Sequence, residues 1–227
     1  SYSEHSKYRG VDGVIVACVD FEAEEVKELL QSGIPVVTID YIFNDKACVM
    51  SDNIRGMEQL VSYIIQCGHK KIAYIHGADS FVTRSRIGSF LRTMKKYGIE
   101  TEDRYIREGI YHAPDVSAKI THELLSLEDR PTCIVYPDDF SCIGGINVIR
   151  SKGLTIPNDI SVAGYDGQRI ARVIEPKITT YRQNTEQIGR VAAAKLVELI
   201  EQPELALVER LDVQGELIRG CSVLSMK

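Results

Sequence analysis

The chain has 227 residues, a formal net charge of −5 at pH 7 and a sequence pI near 5.6. With 44% hydrophobic and 26% charged residues, it has enough apolar material for a packed core and does not have the composition of a disordered segment. The acidic balance argues against a nucleic-acid interface within this chain, because a surface that neutralises phosphates carries an excess of Lys and Arg. We see neither a signal peptide nor an apolar run long enough to span a membrane, and we therefore expect a cytoplasmic protein.

The cysteines and histidines are scattered along the chain. Most of the cysteines lie inside apolar runs, where free cysteine behaves as a small buried hydrophobe, and this usage is typical of a reducing compartment. None of the histidines has metal-ligand spacing, so we expect no metal site. The six cysteines are Cys18, Cys48, Cys67, Cys133, Cys142 and Cys221.

Apolar strands alternate with amphipathic helices from one end of the chain to the other. After a short helical tail at residues 1–9, strands are predicted at 14–17, 34–40, 48–50, 71–76, 105–106, 132–136 and 160–163. Helices are predicted at 22–31, 53–67, 83–97, 117–127, 139–151 and 184–201, and residues 208–217 alternate as edge strands do. This alternation indicates βαβ units and a mostly parallel sheet, which places the chain in the α/β class.

Acidic residues follow several of the predicted strands, at Asp40, Asp52, Asp138, Asp139 and Asp166. Right-handed crossovers bring the loops after parallel strands to one edge of a sheet, where ligands of open α/β sheets bind. Alternatively, such aspartates cap helices, an interpretation that suits Asp139 because an apolar helix follows it directly. It suits Asp166 less well, because glycine and proline interrupt the sequence that follows. The sequence therefore predicts a small-molecule site around Asp166.

No motif for catalysis or cofactor binding is apparent. The chain has no phosphate-binding GxxxxGK[ST] loop, no GxGxxG after a strand and no GxSxG nucleophile elbow. His76, at a strand end, is the one candidate base, and a histidine satisfied by its neighbours at the sheet edge is the alternative interpretation. The sequence thus predicts binding without catalysis and without a cofactor.

Several short phrases follow one another in a characteristic order. They are Val11–Ile15 (VDGVI), Ile34–Asp40 (IPVVTID), Ser51–Gly56 (SDNIRG), Gly68–Ile75 (GHKKIAYI), Arg86 with Phe90, Pro131–Ile134 (PTCI), Asp138–Asp139, Ile156–Asp166 (IPNDISVAGYD) and Pro176–Gln183 (PKITTYRQ). Together they resemble the effector-binding domains of the lactose/galactose-repressor (LacI/GalR) family of bacterial transcription regulators, over nearly the whole chain.

The resemblance implies a type I periplasmic-binding-protein-like fold, with two doubly wound, mostly parallel α/β lobes joined by crossover strands and a ligand in the cleft. The N-terminal lobe is expected to hold residues 1–77 and 184–208, and the C-terminal lobe residues 78–183 and 209–227. The family also has a DNA-binding headpiece and a first strand-helix-strand without counterparts here. We therefore expect the N-terminal lobe to be incomplete at its start.

The resemblance also assigns ligand-binding roles. Asp166 is similar to the family's carboxylate for ligand hydroxyls or ring nitrogens, and Arg86 to the arginine that forks onto the ligand from the other side. Tyr111 occupies the position of an aromatic residue that packs on a sugar or base. Gln183, from a crossover segment, and Asp52, from the other lobe, are further candidates.

Two departures from the family pattern concern the ligand. Asp138 stands where the family usually has an asparagine that reaches the ligand, which removes two donors and adds a charge. Gly167 replaces the second residue of an Asp-Asp pair, which removes an acid and loosens the turn. Ligand preference is therefore expected to differ from that of the usual hexose binders.

We therefore expect the effector-sensing half of a transcription regulator: a homodimer that binds a small, sugar-like molecule and controls operator binding through a headpiece. The alternative from another class is a solute-binding protein that serves a sugar transporter, since the fold is shared. A helix-turn-helix at the start of the gene would support the regulator, and a signal peptide would exclude it.

Overall fold

The computed structural model describes residues 2–43 and 45–226 and divides the chain into two compact units. Unit 1 comprises the chain up to Asp52 together with Asn184–Gln214. Unit 2 comprises Asn53–Gln183 together with the chain from Gly215 onward. Each unit has its own sheet and its own hydrophobic clusters, so the expected α/β class is confirmed.

The elements alternate as the sequence predicts. The helices are α1 (Tyr2–Arg9), α2 (Glu24–Gln31), α3 (Asn53–Gln66), α4 (Phe81–Lys96), α5 (Pro114–Leu125), α6 (Asp139–Ser151), α7 (Arg169–Val173) and α8 (Thr185–Glu201), with a 3₁₀ turn at Asp103–Tyr105. The strands are β1 (Val14–Val16), β2 (Val36–Ile39), β3 (Ala47–Ser51), β4 (Ile72–His76), β5 (Ile106–Glu108), β6 (Cys133–Val135), β7 (Ser161–Asp166), β8 (Thr179–Arg182), β9 (Arg210–Val213) and β10 (Glu216–Ile218).

The sheet of unit 1 is parallel throughout, in the order β1-β2-β3-β9. Successive residues of a strand point to opposite faces, and both faces are covered here. Val36 packs with the apolar side of α2, at Val26, Leu29 and Leu30. Val37 packs in a separate cluster with Ile188 and Ala192 of α8. A sheet covered on both faces explains why these strands are continuous apolar runs without polar alternation.

The sheet of unit 2 has the order β5-β4-β6-β7-β8-β10, and its pairings are parallel except that of β10 with β8. Tyr74 points into one buried cluster, which includes Met57 of α3 and Phe90 of α4. Its neighbour Ile75 points into the opposite cluster, which includes residues of α5 and α6. Helices therefore cover both faces of this doubly wound sheet.

The strand order of unit 2 reverses at β4, because β5 lies on one side of β4 and β6 lies on the other. In open α/β sheets the loops diverge at such a switch point, and the crevice at the carboxyl ends of the flanking strands is the usual ligand site. Here the flanking strands are β4, followed by α4, and β6, followed by α6. The residues predicted for ligand binding on α4 and before α6 thus follow the two strands at this point.

The lobe boundaries expected at residues 77 and 208 are corrected to 52 and 214. Strand β4 pairs with β6 in the register Ile72–Cys133, so the segment from Asn53 to Gly77 belongs to unit 2. Strand β9 pairs with β3 in the register Cys48–Arg210, so it belongs to unit 1. An amphipathic helix and an apolar strand fit either sheet equally well, and their pattern does not select one.

The strand-end aspartates are also divided. Asp40 and Asp52 follow strands of unit 1, whereas the other three follow strands of unit 2. The acidic residues therefore lie at the edges of two sheets and not at one common edge. The predicted edge strands are confirmed, with β9 at the edge of one sheet and β10 at the edge of the other. Within residues 2–43 and 45–226, we find no helix both long and apolar enough to cross a bilayer.

Candidate functional site

The turn after β7 places Asp166 in an unusual backbone conformation. The strand is buried as far as Tyr165, and Asp166 at its end has a φ of +92°, followed by Gly167 at +68°. A positive φ is uncommon for a residue with a Cβ atom, and backbone strain of this kind concentrates at functional sites. Glycine is required at 167, because an added Cβ would also lie 2.3 Å from the Cβ of Arg182.

Arg86 of α4 is almost completely buried and is held by several groups of unit 2. Its Nε donates to Oδ1 of Asn53 at 2.8 Å, and its Nη1 donates to the carbonyl oxygen of Pro137 at 3.2 Å. Its guanidinium carbon lies 3.7 Å from the ring centroid of Tyr165, a cation–π contact. The bond to Pro137 connects α4 to the loop after β6, so Arg86 bridges the switch point of the sheet. Its Nη2 lies 3.8 Å from Oδ1 of Asp166.

The Arg86–Asp166 pair is close but incompletely hydrogen-bonded. A separation of 3.8 Å is an ion pair without a hydrogen bond, so both groups keep hydrogen-bonding capacity for a ligand. Gln183 Nε2 donates to the same Oδ1 at 2.5 Å. Burial raises the pKa of Asp166, opposed by Arg86 and by the hydrogen bond from Gln183. Burial lowers the pKa of the Arg86 guanidinium. The nearby hydroxyl of Tyr165 and the carboxylate of Asp166 outweigh this effect, so the pKa of Arg86 is raised.

Tyr111 lies beside this pair. Its hydroxyl is 2.9 Å from Oγ1 of Thr83, which itself donates to the carbonyl oxygen of Ala78 at 2.7 Å. The tyrosine is therefore the donor, and its oxygen can still accept a hydrogen bond. Its ring packs directly on Gly77 after β4, where an added Cβ would lie 2.1 Å from a ring carbon. The ring centroid is 5.8 Å from the guanidinium carbon of Arg86.

Asp138 is fully buried, and donors of the protein surround its carboxylate. Oδ1 accepts from the backbone N–H of Ser141, and Oδ2 accepts from the Ser141 hydroxyl and from the backbone N–H of His112, each at 2.8 Å. Asp138 is thus the N-cap of α6, and the prediction that Asp139 caps this helix is wrong. These contacts give Asp138 a role in fixing the loop that carries Tyr111, next to the ligand contact that the resemblance implies.

Asp139 is also fully buried and serves the opposite loop. Its Oδ2 accepts from the backbone N–H of Gln168 at 2.7 Å, just after the turn at Asp166. Oδ1 has no hydrogen-bond partner, and an added Cβ at Gly164 would lie 2.2 Å from it. Burial raises the pKa of Asp139 to about 7, although the hydrogen bonds of Thr180 and Gln168 oppose the shift. This carboxyl therefore takes up a proton at a higher pH than an exposed aspartate does.

The remaining sequence-predicted candidates are placed differently. Asp52 directly follows β3 in unit 1, where its backbone N–H donates to the carbonyl oxygen of Val213 at 2.9 Å. His76 Nδ1 lies 2.8 Å from the carbonyl oxygen of Gly77, which fits a histidine satisfied by its neighbour. Unit 2 thus brings together Arg86, Tyr111, Asp138, Asp166 and Gln183.

Comparison with known proteins now identifies the family. The model of the periplasmic binding protein-like domain matches residues 61–223. The chain belongs to this family. It is 30% identical over 218 residues to the HTH-type transcriptional repressor PurR of Mannheimia succiniciproducens, covering 94% of this chain and 64% of that protein. The periplasmic binding protein-like domain described here therefore spans a little under two thirds of that relative.

Solved structures agree with this membership. The CelR–cellobiose complex of a transcriptional regulator is 26% identical, with a TM-score of 0.88 over 97% of this chain and 68% of that one. A regulatory protein of the LacI family from Chloroflexus aggregans is 29% identical, with a TM-score of 0.85 over 97% of this chain and 80% of that one. The resemblance to LacI/GalR-type effector-binding domains is confirmed. The curated relatives are repressors and not enzymes, as expected for binding without catalysis.

Two residues of the domain's site, Asn53 and Tyr165, were not among the predicted ones. Asn53 opens α3, where an asparagine is typical of a helix N-terminus, and its bond to Arg86 joins residues 33 apart in sequence. Tyr165 precedes Asp166 on a buried strand, which favours interpretation as core. Both lie in the phrases that carry the family resemblance, and this is the one sequence signal that points to them.

Metal binding is not supported in the part of the domain that the structure describes. Residues 2–43 and 45–226 contain no group of three or more His, Cys, Asp or Glu side chains arranged to hold a metal ion. The described cysteines are all free: Cys18 and Cys221 are exposed, and the other four are buried. The expectation that most cysteines are buried hydrophobes is confirmed.

Proposed function

We propose that this domain binds a small, neutral, polyhydroxylated effector, a sugar or sugar derivative, on the face of unit 2 formed by Arg86, Tyr111, Asp166 and Gln183. The observation that carries the proposal is the buried Arg86 beside the strained Asp166 at the switch point of the sheet. A guanidinium and a carboxylate lying 3.8 Å apart offer a donor and acceptors side by side. A pair of sugar hydroxyls matches this arrangement, because each hydroxyl both donates and accepts.

The surrounding groups favour a neutral ligand over an anion. The charges of Asp166 and Asp138 add to the effect of burial in raising the pKa of Asp139, and the charge of Asp138 does the same for the pKa of Asp166, against one buried arginine. A ligand phosphate or carboxylate would have to approach this acidic cluster, whereas hydroxyl groups donate to it. The ring of Tyr111 adds an apolar surface on which the C–H face of a sugar can pack. The likeness to the CelR–cellobiose complex supports a sugar, since that regulator holds a disaccharide.

In the whole protein, the domain acts as the effector sensor of a homodimeric, cytoplasmic transcription repressor whose headpiece contacts operator DNA. The family membership and the repressor relatives support this extension. Effector binding would change operator affinity by the difference in effector affinity between the two conformations, which is about 1–3 kcal/mol in typical allosteric proteins. The measurement is operator binding by the intact protein with and without the effector.

A thermal-unfolding screen against neutral sugars, sugar phosphates, uronic acids and nucleobases tests the ligand class. A neutral sugar at 100 times its Kd should stabilise the domain by about 2.7 kcal/mol and raise the midpoint measurably. Asp166→Asn should remove this shift, whereas Asp159→Asn, a change at another turn of unit 2, should retain it. A shift produced by phosphates or nucleobases, but by no neutral sugar, would contradict the proposed ligand class.

A further inference from the structure

The two strained, non-glycine turns of unit 2 share one support. Among the described residues of unit 2, the non-glycine positions with positive φ are His112 at +55° and Asp166 at +92°. Each turn donates a backbone N–H to an aspartate side chain at the start of α6. Asp138 accepts from the N–H of His112, and Asp139 accepts from the N–H of Gln168. Neither of these two N–H groups belongs to a helix or strand ladder.

We propose that Asp138 and Asp139 are paired positioning residues, each holding one strained turn in place through a buried carboxylate at the N-terminus of α6. Asp138 fixes the turn that presents Tyr111, and Asp139 fixes the turn that presents Asp166. The inference rests on the proposed function for its purpose, because those turns carry the effector contacts. The two turns are held by the hydrogen bonds to Asp138 and Asp139 whether or not an effector binds.

The two carboxylates differ in how many of their oxygens accept hydrogen bonds. Asp138 uses both oxygens as acceptors, for the Ser141 and His112 amides and the Ser141 hydroxyl. Asparagine at 138 would turn an NH₂ group toward one of these donors. Asp139 uses Oδ2 alone, and its Oδ1 lies without a partner beside Gly164. Asparagine at 139 can keep its oxygen toward the Gln168 N–H and the Thr180 hydroxyl while its NH₂ group takes the place of Oδ1, so we expect the amide to substitute at 139 but not at 138.

Amide hydrogen exchange on the intact protein, followed residue by residue by NMR without any ligand, separates these roles. Asp139→Ala should speed exchange at the Gln168 amide about tenfold and leave the His112 amide unchanged, as expected for one lost buried hydrogen bond. Asp138→Ala should do the reverse, and Asp138→Asn should release either the His112 amide or the Ser141 amide, because its NH₂ group must face one of them. Asp139→Asn should protect the Gln168 amide as the native residue does. The Ala substitutions remove whole carboxylates, so the two Asn variants decide the question if an Ala variant unfolds.

Asp159→Ala is a matched control, because Asp159 holds an exposed turn through the Thr155 amide at 2.7 Å. It should speed exchange at Thr155 and at neither of the other two amides. Equal acceleration of the His112 and Gln168 amides by either substitution would mean general loosening and would overturn the proposal. Unchanged amides, or equal tolerance of asparagine at 138 and 139, would overturn it as well. Because no effector is present, these outcomes are independent of whether the sugar proposal holds.

Discussion

The turn after β2 in unit 1 and the turn after β7 in unit 2 each place an aspartate in the left-handed region, with φ of 59° at Asp40 and 92° at Asp166. The two turns differ in what surrounds the carboxylate. Asp40 Oδ1 accepts from the backbone N–H of Ser51 at 3.3 Å, a contact within its own sheet edge. Asp166 accepts from Gln183 and lies opposite a buried arginine.

The difference between the two turns shows which structural features mark a binding site. A positive φ at a strand end occurs in both sheets, and all four described non-glycine cases (Cys18, Asp40, His112 and Asp166) follow a strand or end one. Left-handed backbone therefore marks the sharp exit from a parallel strand in general. A buried charge costs several kcal/mol unless it is paired, so a fold retains one where the charge has a use. Arg86 meets that condition beside Asp166.

The largest expected effect concerns Arg86 itself. Arg86→Met would remove the Arg86 hydrogen bonds to Asn53 Oδ1 and the Pro137 carbonyl, and it would take the opposing charge away from the buried Asp166 carboxylate. We expect the free energy of unfolding to fall by about 3–5 kcal/mol, as when one partner of a buried ion pair is removed. Denaturant unfolding with a fitted midpoint and slope measures this.

Arg84→Met provides the control on the same helix. Arg84 pairs with Asp79, and both side chains are largely exposed, at 62% and 75%. Because water screens such a pair, its removal should change stability by less than about 1 kcal/mol. Equal losses for the two variants would mean that the Arg86 cluster contributes no more than a surface pair. In that case a buried arginine would not distinguish the turn at Asp166 from the turn at Asp40 energetically.

Much of the secondary structure could be predicted from sequence because it depends on local patterns. Helix α6 has the predicted bounds of Asp139–Ser151, since an apolar stripe lies between an acidic start and a glycine at 153. Strand β7 was predicted as 160–163 and extends to Asp166, since it continues past Gly164. A glycine at position 164 predicts the end of the strand. Its actual role is to leave room for Asp139, because an added Cβ would lie 2.2 Å from Oδ1 of that residue.

The pairing of strands and the sharing of side chains could not be predicted in the same way. Strand β4 fits either sheet by its pattern, so the boundary at residue 77 was wrong. The aspartates at 138 and 139 are equivalent as sequence, and the capping residue is decided by which one has extended backbone. Asp138 has φ −157° and ψ 170° and accepts from the helix, whereas Asp139 is already helical and reaches the β7 turn instead. Such choices depend on contacts 20 or more residues apart.

An effect of intermediate size is the pH dependence of stability that Asp139 of unit 2 causes. Burial raises the pKa of Asp139 from its ordinary value of 3.8 to about 7 in the folded protein. Between these values the folded protein binds more protons than the unfolded chain, so stability falls as pH rises from about 4 to 7. The expected slope for one proton is about 1.4 kcal/mol per pH unit at most. Asp139→Asn should flatten this slope, as measured by denaturant unfolding at pH 5, 6 and 7.

His69 has the opposite effect on the pH dependence of stability. This effect cancels when the native protein is compared with Asp139→Asn. Burial lowers the pKa of His69, its Nε2 donates to the Leu224 carbonyl oxygen at 3.1 Å, and Nδ1 lies 2.9 Å from Thr132 Oγ1. The unfolded chain therefore binds the extra proton, and this group loses stability as pH falls below its unfolded value of about 6.5. Since both proteins retain His69, the difference between their slopes isolates Asp139. Parallel slopes would show that the Asp139 carboxyl is ionised throughout this range.

The smallest expected effect is the change in stability when Asp40 or Asp166, the two aspartates with positive φ, is replaced by glycine. Glycine relieves the positive φ at either position but removes the carboxylate and its contacts. At Asp40 the loss includes a 3.3 Å hydrogen bond in a half-buried turn, and the relief of strain offsets part of it, so Asp40→Gly should cost about 1 kcal/mol or less. Asp166→Gly should cost about 1–2 kcal/mol more, because Arg86 loses its opposing charge inside a buried cluster. Denaturant unfolding of both variants gives the difference directly. If Asp166→Gly were the more stable of the two, strain would outweigh the ion pair, and Asp166 would be retained for ligand binding at a net cost to the fold.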